Sequence, residues 1–428
     1  MSAPSSHTDS DHQHALDFDA HDPLAHLRER FAIPRTPAGE PVVYMVGNSL
    51  GLQPDTVRDA ITTELDDWAT MGVDAHFKDS TPWYSYHELL REPAARLVGA
   101  LPHEVVVMNS LTVNLHLLMV SFYRPTPTRY RIVIEDSSFP SDSYAVASQA
   151  RVHGFDPDDA ILRLTPRDGE HTLRSEDVER VLRDNAESIA LVMLGGVNYL
   201  TGQLYDIPRI TACAHEIGAT CGWDLAHAAG NVPLHLHEWN ADFACWCSYK
   251  YLNSGPGSCA GAFVHERHTS TRGTVIPRFE GWWGNDPSTR FQMGPRIHPS
   301  AGADAWQLSN PPIFAMAPVL ASLRLFDDTT MPALREKSLQ LTAYLERLIN
   351  AIPGTPYTIT TPSDPAQRGC QLSIIAPIPS RRLQQHLQTQ HIIADHREPN
   401  VLRVAPVPMY NTFLDVWKLA SALREAVA

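Results

Sequence analysis

The sequence predicts an α/β protein that has a mainly parallel sheet in a large domain and a smaller α+β domain at its C-terminal end. Between about Val105 and Val264, short apolar segments alternate with helical or turn-rich segments, which is typical of a parallel sheet covered by helices. After about Phe314, amphipathic helices come first and β-rich segments follow. The chain has 428 residues, of which 43% are hydrophobic, so it is large enough for two domains.

Five strands of the large domain are predicted from short apolar segments that are rich in β-branched and aromatic residues. In chain order they lie at Arg131–Glu135, Ile189–Leu194, Thr220–Trp223, Phe243–Ser248 and Ala260–Val264. In the smaller domain, Gln371–Ile375 and Val401–Ala405 are β-rich, and a helix follows them at the end of the sequence.

We expect the chain to divide into four parts. Residues 1–22 are polar and acidic and predict a flexible, solvated tail. Residues 23–75 are expected to form an N-terminal arm that contributes to the small domain. Residues 76–313 would form the large domain, and residues 314–428 the small one.

Composition excludes several classes of protein. The 34 basic and 48 acidic residues give a formal net charge of -14 without a basic run, which argues against nucleic-acid binding. The longest apolar stretch, Ile189 to Val197, is shorter than the roughly 18 to 20 residues of a membrane span. The acidic start does not resemble a secretory signal. The six cysteines include no CxxC pair, which predicts a cytoplasmic protein without disulfides or a bound metal.

Lysine is rare in this chain, so each lysine can be considered individually. Only Lys78, Lys250, Lys337 and Lys418 occur among the 34 basic residues. Lys337 and Lys418 lie in helical patterns, where a solvated face is the ordinary role, and Lys78 lies among polar residues. Lys250 alone follows an apolar strand and precedes a turn. Partial burial there would lower its pKa and free the amine for a Schiff base, although a lone loop lysine is more often simply solvated.

Three further features would complete a pyridoxal phosphate (PLP) site around Lys250. Asp224 ends a predicted strand and could pair with a pyridinium nitrogen, which makes the ring an electron sink; an ordinary turn or helix cap is the alternative. The segment from Asn109 to Thr112 begins a predicted helix whose N–H groups could bind a phosphate or simply be capped. Phe139 could stack on a flat ring or pack in the core. The order of these features along an α/β domain predicts PLP binding.

Nine segments of the chain, spread over nearly its whole length after the tail, are similar to kynureninase sequences. They are GNSLGLQP (47–54), NSLTVNLHLLM (109–119), FPSD (139–142), VNYLTGQ (197–203), DLAHAAGNV (224–232), DFACWCSYKYLNSGPG (242–257), GWWGN (281–285), SNPP (309–312) and RVAPVPMYN (403–411). The chain thus resembles the kynureninase family, and several segments look more like its eukaryotic-type branch, which prefers 3-hydroxykynurenine.

The resemblance implies PLP fold type I, with a seven-stranded, mainly parallel sheet, and a homodimer. It also implies hydrolysis of the Cβ–Cγ bond of L-kynurenine or 3-hydroxy-L-kynurenine. The products would be anthranilate or its 3-hydroxy form and L-alanine, in tryptophan catabolism or NAD biosynthesis.

Position by position, the resemblance also implies roles for individual residues. Lys250 would be the Schiff-base lysine, and Asp224 the partner of the pyridine nitrogen. Phe139 would stack on the ring, and Tyr249 would bind the cofactor and serve as a catalytic acid. The further cofactor-binding positions are Leu111, Thr112, Asp142, Gly195 and His227, with Trp282 and Asn310 reaching in from the partner subunit.

The substrate positions follow from the same resemblance. Arg403 matches the family's carboxylate anchor, a role that suits a guanidinium because it binds a carboxylate through two parallel hydrogen bonds; a surface charge is the ordinary alternative. His76 and Asn310 match positions that face the aromatic ring of the substrate, and Ser49 and Ser309 lie nearby in the family pattern.

Two positions depart from the family pattern. Gly195 stands where family members often carry a hydroxyl or another polar side chain close to the cofactor. Asn285 replaces the histidine that is usual in a GWFGH-type motif, so the preferred ring substrate stays open.

Three alternatives to this function follow from the sequence. The chain could hydrolyse a substituted kynurenine of a secondary-metabolite pathway, or catalyse another reaction of the same fold, such as cysteine desulfuration or transamination. A desulfurase needs a mobile catalytic cysteine, and none of the six lies in an obvious Gly/Ser-rich loop. A PLP-binding regulator without catalysis is the third alternative, although such proteins usually carry a basic DNA-binding module.

Overall fold

Asp224, which we expect beside a cofactor, lies at the carboxyl end of a central strand of the large sheet. This geometry comes from a computed structural model that describes residues 5–269, 276–354 and 356–427, with side chains from residue 10 onward. No helix in these ranges is long and apolar enough to cross a membrane.

The helices are numbered in chain order. They are α1 (Ser5–Ala20), α2 (Val57–Met71), α3 (Glu88–Val98), α4 (Leu111–Phe122), α5 (Pro140–Val152), α6 (Pro157–Ala160), α7 (Ser175–Asp184), α8 (Ile207–Glu216), α9 (Ile313–Leu325), α10 (Met331–Asn350), α11 (Ser380–Thr389) and α12 (Phe413–Glu425).

The strands are numbered in the same way. They are β1 (Phe31–Ala32), β2 (Val43–Tyr44), β3 (Gln53–Pro54), β4 (Val105–Met108), β5 (Arg131–Glu135), β6 (Ile161–Leu164), β7 (Ile189–Gly195), β8 (Thr220–Asp224), β9 (Phe243–Trp246), β10 (Ala260–Val264), β11 (Thr358–Ile359), β12 (Leu372–Ile375), β13 (Ile392–Ile393), β14 (Asp395–Arg397) and β15 (Val401–Val404).

The large sheet has seven strands in the order β4-β10-β9-β8-β7-β5-β6, and only β10 runs antiparallel to its neighbours. This confirms the predicted α/β class and the mainly parallel sheet. The central strands are almost continuously buried because helices cover both faces, which is why they read as uninterrupted apolar segments.

Three neighbouring parallel strands, β5, β7 and β8, end at the same edge of the sheet. Their last residues are Glu135, Gly195 and Asp224, and Gly195 pairs directly with Asp224. Ligands of open α/β sheets bind outside this carboxyl edge, so the topology brings the strand-end residues into one region.

The small domain is built on a four-stranded antiparallel sheet in the order β11-β12-β15-β14. Its core lies between this sheet and helices α10, α11 and α12. From the N-terminal arm, β2 pairs in parallel with β13. Helix α9 begins at the predicted domain boundary, but its buried face belongs to the core of the large sheet.

The prediction of a flexible tail is wrong for the part that the structure describes. Residues 5–20 form helix α1, which packs along α12. Asp19 accepts hydrogen bonds from the first N–H groups of that helix, at Phe413 (2.7 Å) and Leu414 (3.0 Å). A polar segment is ordered because it caps a helix that lies some 400 residues away in the chain.

Candidate active site

A cavity of about 220 Å³ opens at the carboxyl edge of the large sheet. It is lined by nine of the residues expected to contact PLP, namely Leu111, Thr112, Phe139, Asp142, Gly195, Asp224, His227, Tyr249 and Lys250. Five further residues line it as well, Glu135, Ser141, Val197, Tyr199 and Ala226. Positions that are up to 139 residues apart in sequence therefore meet in one site.

Lys250 lies in the turn after β9, and its amine faces the cavity. Its Nζ is 3.0 Å from His227 Nε2, 5.8 Å from the centre of the Phe139 ring and 5.9 Å from that of Tyr249. Burial lowers the pKa of His227 well below its usual value, and the charge of Lys250 lowers it further. The imidazole is therefore neutral and accepts a hydrogen bond from the Lys250 amine.

Asp224 and Asp142 form a buried acidic pair beside the lysine, with exposures of 6% and 7%. Burial raises the pKa of both carboxyl groups, and the charge of Asp224 raises that of Asp142 further. The N–H of Ala226, 2.7 Å from Asp224 Oδ1, and the charge of Lys250 oppose the rise for Asp224. The shared proton therefore resides on Asp142, and Asp224 remains the carboxylate.

The start of α4 lies in the wall of the cavity and has a geometry that suits a phosphate. Leu111 and Thr112 are its first residues, and the first N–H groups of a helix have no partner within that helix. The turn before it is fixed by Asn114, which donates to Met108 O at 2.9 Å and accepts from Asn109 Nδ2 at 3.0 Å. Asn109 itself has a positive φ of 47°, a conformation that asparagine tolerates.

Phe139 presents its ring to the cavity and is 44% exposed. The Tyr199 ring lies edge-on to it, with centroids 5.1 Å apart and planes at 84°. An aromatic ring that is supported from the side and open on one face suits stacking on a flat heteroaromatic group. Core packing, the alternative for Phe139, is excluded by this exposure.

Arg403, expected to anchor a substrate carboxylate, lies behind Tyr199 and is 1% exposed. It donates to Tyr199 O at 2.8 Å and forms an ion pair with Asp395. Ser49 donates to Asp395 Oδ2 at 2.7 Å and lies 3.5 Å from Arg403 Nη2. Arg397 binds the other oxygen of Asp395 at 2.5 Å, so two arginines share one carboxylate.

The remaining predicted site residues lie outside this cavity. His76 Nδ1 donates to Val73 O at 3.0 Å, and its ring packs edge-on against Trp83. Trp282 is 42% exposed, and Ser309 and Asn310 are exposed. Within one chain these positions are not brought to Lys250.

Asn285, one of the two departures from the family pattern, is engaged within its own loop. Its Oδ1 accepts a hydrogen bond from His298 N at 2.7 Å. Arg290, which is 2% exposed, donates to the carbonyls of Trp283 and Asn285 at 2.9 and 3.0 Å. Asn285 therefore contributes to the shape of the loop that follows Trp282.

The residues of the cavity fit PLP. His227 Nδ1 and Asp142 Oδ1 are buried and lack a hydrogen-bond partner among the described residues, so both atoms are available to form hydrogen bonds with a ligand. One space is surrounded by an amine for the aldehyde, a carboxylate for the pyridine nitrogen, a helix start for the phosphate and an aromatic face for the ring.

Sequence reasoning missed two polar residues of the cavity wall. Glu135 was assigned to its strand alone, although an acidic residue at the carboxyl end of a strand is the same signal that identified Asp224. Tyr199 lies in the quoted segment VNYLTGQ but received no role. Its position between Phe139 and Arg403 depends on tertiary contacts that no local pattern encodes.

Two family models match the chain. The model described as Aminotransferase class-V matches residues 43–260, and the one described as Kynureninase C-terminal domain matches residues 334–423. A kynureninase from Salinispora tropica is 57% identical over 405 residues, which cover 94% of each chain. A kynureninase from Myxococcus xanthus is 54% identical over 410 residues, which cover 96% of each chain. Both relatives are bacterial, so the eukaryotic-type branch stays a prediction.

The fold is also similar to that of solved structures. A C-DES mutant with glycine covalently linked to the PLP cofactor superposes with a TM-score of 0.75 at 18% sequence identity, covering 92% of this chain and 98% of that one. At this identity the likeness concerns the fold, and it confirms the predicted fold type I architecture.

Proposed function

The chain belongs to the kynureninase family, and we propose that the cavity around Lys250 is where it hydrolyses the Cβ–Cγ bond of L-kynurenine or 3-hydroxy-L-kynurenine. The products are anthranilate or 3-hydroxyanthranilate and L-alanine, in tryptophan catabolism or NAD biosynthesis. The enzymes of this family are PLP-dependent hydrolases, and PLP is the cofactor of this chain.

One observation carries the assignment of the site. Lys250, Asp224 and Asp142 line a single cavity at the carboxyl edge of the sheet, and the lysine amine is within hydrogen-bonding distance of a neutral histidine. Bound PLP supplies an electron sink for the bonds at the substrate's α-carbon. Asp224 is the group that pairs with the pyridine nitrogen, because it keeps its negative charge while Asp142 holds the proton.

Lys250 is assigned the proton transfers at the α-carbon of the substrate. His227 accepts a hydrogen bond from its amine and so holds Nζ on the cavity side of the turn. A base held in place by one neutral acceptor keeps its orientation without losing its ability to take up a proton.

Tyr249 is assigned the delivery of a proton to the carbon that becomes the methyl group of alanine. Water adds to the γ-carbonyl, the Cβ–Cγ bond breaks, and the Cβ that remains requires one proton. Burial raises the pKa of the Tyr249 hydroxyl above its ordinary value, so it carries its proton at neutral pH. Its side chain lines the cavity beside Lys250.

Arg403 and Ser49 are assigned to the α-carboxylate of the substrate. Arg403 is buried, and its Nε has no partner among the described residues, so the N–H of Nε is available to bind a carboxylate. Because Arg397 also binds Asp395, that carboxylate stays neutralised when Arg403 turns toward a substrate.

The active enzyme is proposed to be a homodimer in the cytoplasm. The large apolar side chains of Trp282 and Phe291 are 42% and 56% exposed with ring centroids 5.7 Å apart, and exposed apolar neighbours of this kind favour a protein interface. Trp282 and Asn310 would then reach the partner's cavity, and His76, Ser309 and Asn310 would face the substrate ring. The six cysteines form no disulfide and are buried, as in a reducing compartment.

The same burial argues against cysteine desulfuration as the reaction. A desulfurase presents a mobile cysteine to its substrate, whereas Cys213, Cys221, Cys245, Cys247, Cys259 and Cys370 are all buried and none lines the cavity.

The test of the proposed function is a fluorescence assay of purified, PLP-loaded protein with L-kynurenine and with 3-hydroxy-L-kynurenine. Release of anthranilate or its 3-hydroxy form together with equimolar alanine is expected. The ratio of kcat/KM for the two substrates measures the ring preference. Sulfide release from cysteine without anthranilate formation would overturn the proposal.

A further inference from the structure

A third carboxyl group, that of Glu135, lies in the wall of the PLP cavity. Glu135 ends β5, two strands from Asp224 in the sheet, and is 4% exposed. Its side chain extends over the end of β7, where Oε1 and Oε2 lie 3.2 and 3.4 Å from the N–H of Gly195. The carboxyl group therefore occupies the space above Gly195, beside Asp224.

The absence of a side chain at Gly195 makes this position possible. A Cβ built on Gly195 would lie 3.0 Å from Glu135 Oε1, which is tighter than ordinary contacts. A larger side chain at position 195 and the Glu135 carboxyl group thus compete for the same space. This links Glu135 to the departure from the family pattern, in which position 195 often carries a polar side chain.

Burial raises the pKa of Glu135 to about 7, and the charge of Asp224 contributes to the rise, while the N–H of Gly195 and the side chain of Asn198 oppose it. Among the described residues, none of the ion pairs includes Glu135. The other titratable or charged groups around it are Asp142, Tyr205, His227 and Lys250. Near neutral pH the carboxyl group can therefore act as a hydrogen-bond donor.

We propose that Glu135 is a cofactor-positioning residue, whose carboxyl group supplies the polar contact to PLP that Gly195 lacks. In its protonated form it donates a hydrogen bond to the ring from the strand end beside Asp224, and it leaves Asp224 as the single anion at the pyridine nitrogen. This inference rests on the proposed function only in requiring that the cavity binds PLP.

A purely structural role is the alternative, in which Glu135 does no more than join β5 to β7. The two roles differ in how they respond to substitution. Glutamine at position 135 keeps the acceptor for Gly195 and a permanent donor toward the cavity, whereas alanine removes both. If Glu135 only joined β5 to β7, PLP affinity would not follow the protonation of Glu135. A hydroxyl at position 195 would then not restore the PLP affinity that Glu135→Ala loses.

The experiment measures the dissociation constant of PLP for the apoprotein by visible absorbance, and the unfolding of each apoprotein by urea. The variants are Glu135→Gln, Glu135→Ala and the double variant Glu135→Ala with Gly195→Ser. Glu104→Ala is the matched control, because Glu104 is a fully buried carboxylate outside the cavity that accepts N–H groups of Leu101 and Glu266 at 2.9 and 2.8 Å.

Glu135→Ala is expected to raise the dissociation constant about tenfold, the equivalent of one hydrogen bond, while Glu104→Ala leaves it unchanged. The serine of the double variant should recover part of this loss. We also compare the PLP dissociation constant of the natural protein with that of Glu135→Gln. Their ratio should be larger one pH unit above about 7 than one unit below it, because Glu135 loses its proton over this range and glutamine keeps its donor.

Equal PLP affinity of all variants at every pH would overturn the proposal, and so would a loss in Glu135→Ala that serine does not relieve. Glu135→Gln keeps the hydrogen bond to Gly195, so it provides the test even if the alanine variants fail to fold. Kynurenine turnover is measured separately. A natural protein that binds PLP but releases no anthranilate would contradict the proposed function and not the role of Glu135.

Discussion

Lys250 Nζ and His227 Nε2 lie 3.0 Å apart in the wall of the cavity, as an amine donor and a neutral imidazole acceptor. The two residues come from the turns that follow β8 and β9, which are adjacent in the sheet. The sheet topology therefore fixes the direction of the amine before any cofactor is bound.

The first prediction concerns this pair. His227→Phe keeps an aromatic ring of similar size but removes the acceptor, so the Lys250 amine loses its fixed position. We expect kcat/KM for kynurenine to fall by about ten to a hundredfold, in the range for a misplaced catalytic group. PLP occupancy should fall much less. His235→Phe, an exposed histidine outside the cavity, is the control. Unchanged kinetics in His227→Phe would contradict the role of the pair.

The second prediction separates the two aspartates. Because Asp142 holds the proton, Asp142→Asn mimics its natural state, and we expect PLP binding to change only a few fold. Asp224→Asn removes the charge at the pyridine nitrogen and should lower kcat by at least about a hundredfold. Steady-state kinetics and PLP titration of both variants measure the difference. A larger loss in Asp142→Asn would reverse the assignment of the proton.

The third prediction concerns stability. Burial alone would raise the pKa of Asp242, but hydrogen bonds from His215 and His268 and the charge of Arg267 hold it well below its usual value. Its carboxylate also accepts the N–H of Cys221 at 2.7 Å, which ties β8 to the segment before β9. Asp242→Asn should cost at least about 2 kcal/mol of unfolding free energy at pH 7.

The pH dependence of this effect has a definite sign. A depressed pKa contributes stability that is present above the unfolded value of about 4 and is lost as the pH falls below it. The difference in unfolding free energy between the natural protein and Asp242→Asn should therefore shrink under acidic conditions, as measured by urea unfolding. The exposed Asp168→Asn is the control. A difference that is constant from neutral to acidic pH would contradict the account.

The fourth prediction concerns the dimer. If Trp282 and Asn310 complete the partner's cavity, Lys250→Ala and Asn310→Ala damage different halves of each site. If both variants alone have low activity, mixing them under subunit exchange should raise the activity to about a quarter of the natural value, because half of the dimers are mixed and each mixed dimer has one intact site. Light scattering checks the dimer. No recovery in mixtures that do exchange subunits would indicate that each site is built from one chain.

The sequence was most informative where a local pattern determines the structure. The strands Arg131–Glu135 and Ala260–Val264 were predicted with the bounds that the structure has, because strands buried on both faces are uninterrupted apolar segments between turns. Helix α1 was missed because its order comes from contacts with α12, which composition does not reveal. Most of the cofactor residues were found through strand-end positions and family motifs.

The parts of the site that the sequence did not reveal depend on side chains that reach across strands. Glu135 contributes to the cavity only because Gly195, on the next strand, leaves room for it. The pairing of Arg403 with Asp395 likewise joins neighbouring strands β15 and β14. Such relationships require the register of the sheet, which no single segment encodes.

The most direct test of the central claim is the rate of anthranilate release from L-kynurenine by Lys250→Ala, compared with the natural protein and with Lys418→Ala, whose lysine is exposed on α12. We predict that Lys250→Ala loses the visible absorbance of bound PLP and at least about a thousandfold in turnover, since it lacks the group that transfers the α-proton. Lys418→Ala should match the natural protein. Steady turnover by Lys250→Ala at a rate close to that of the natural protein would contradict the account.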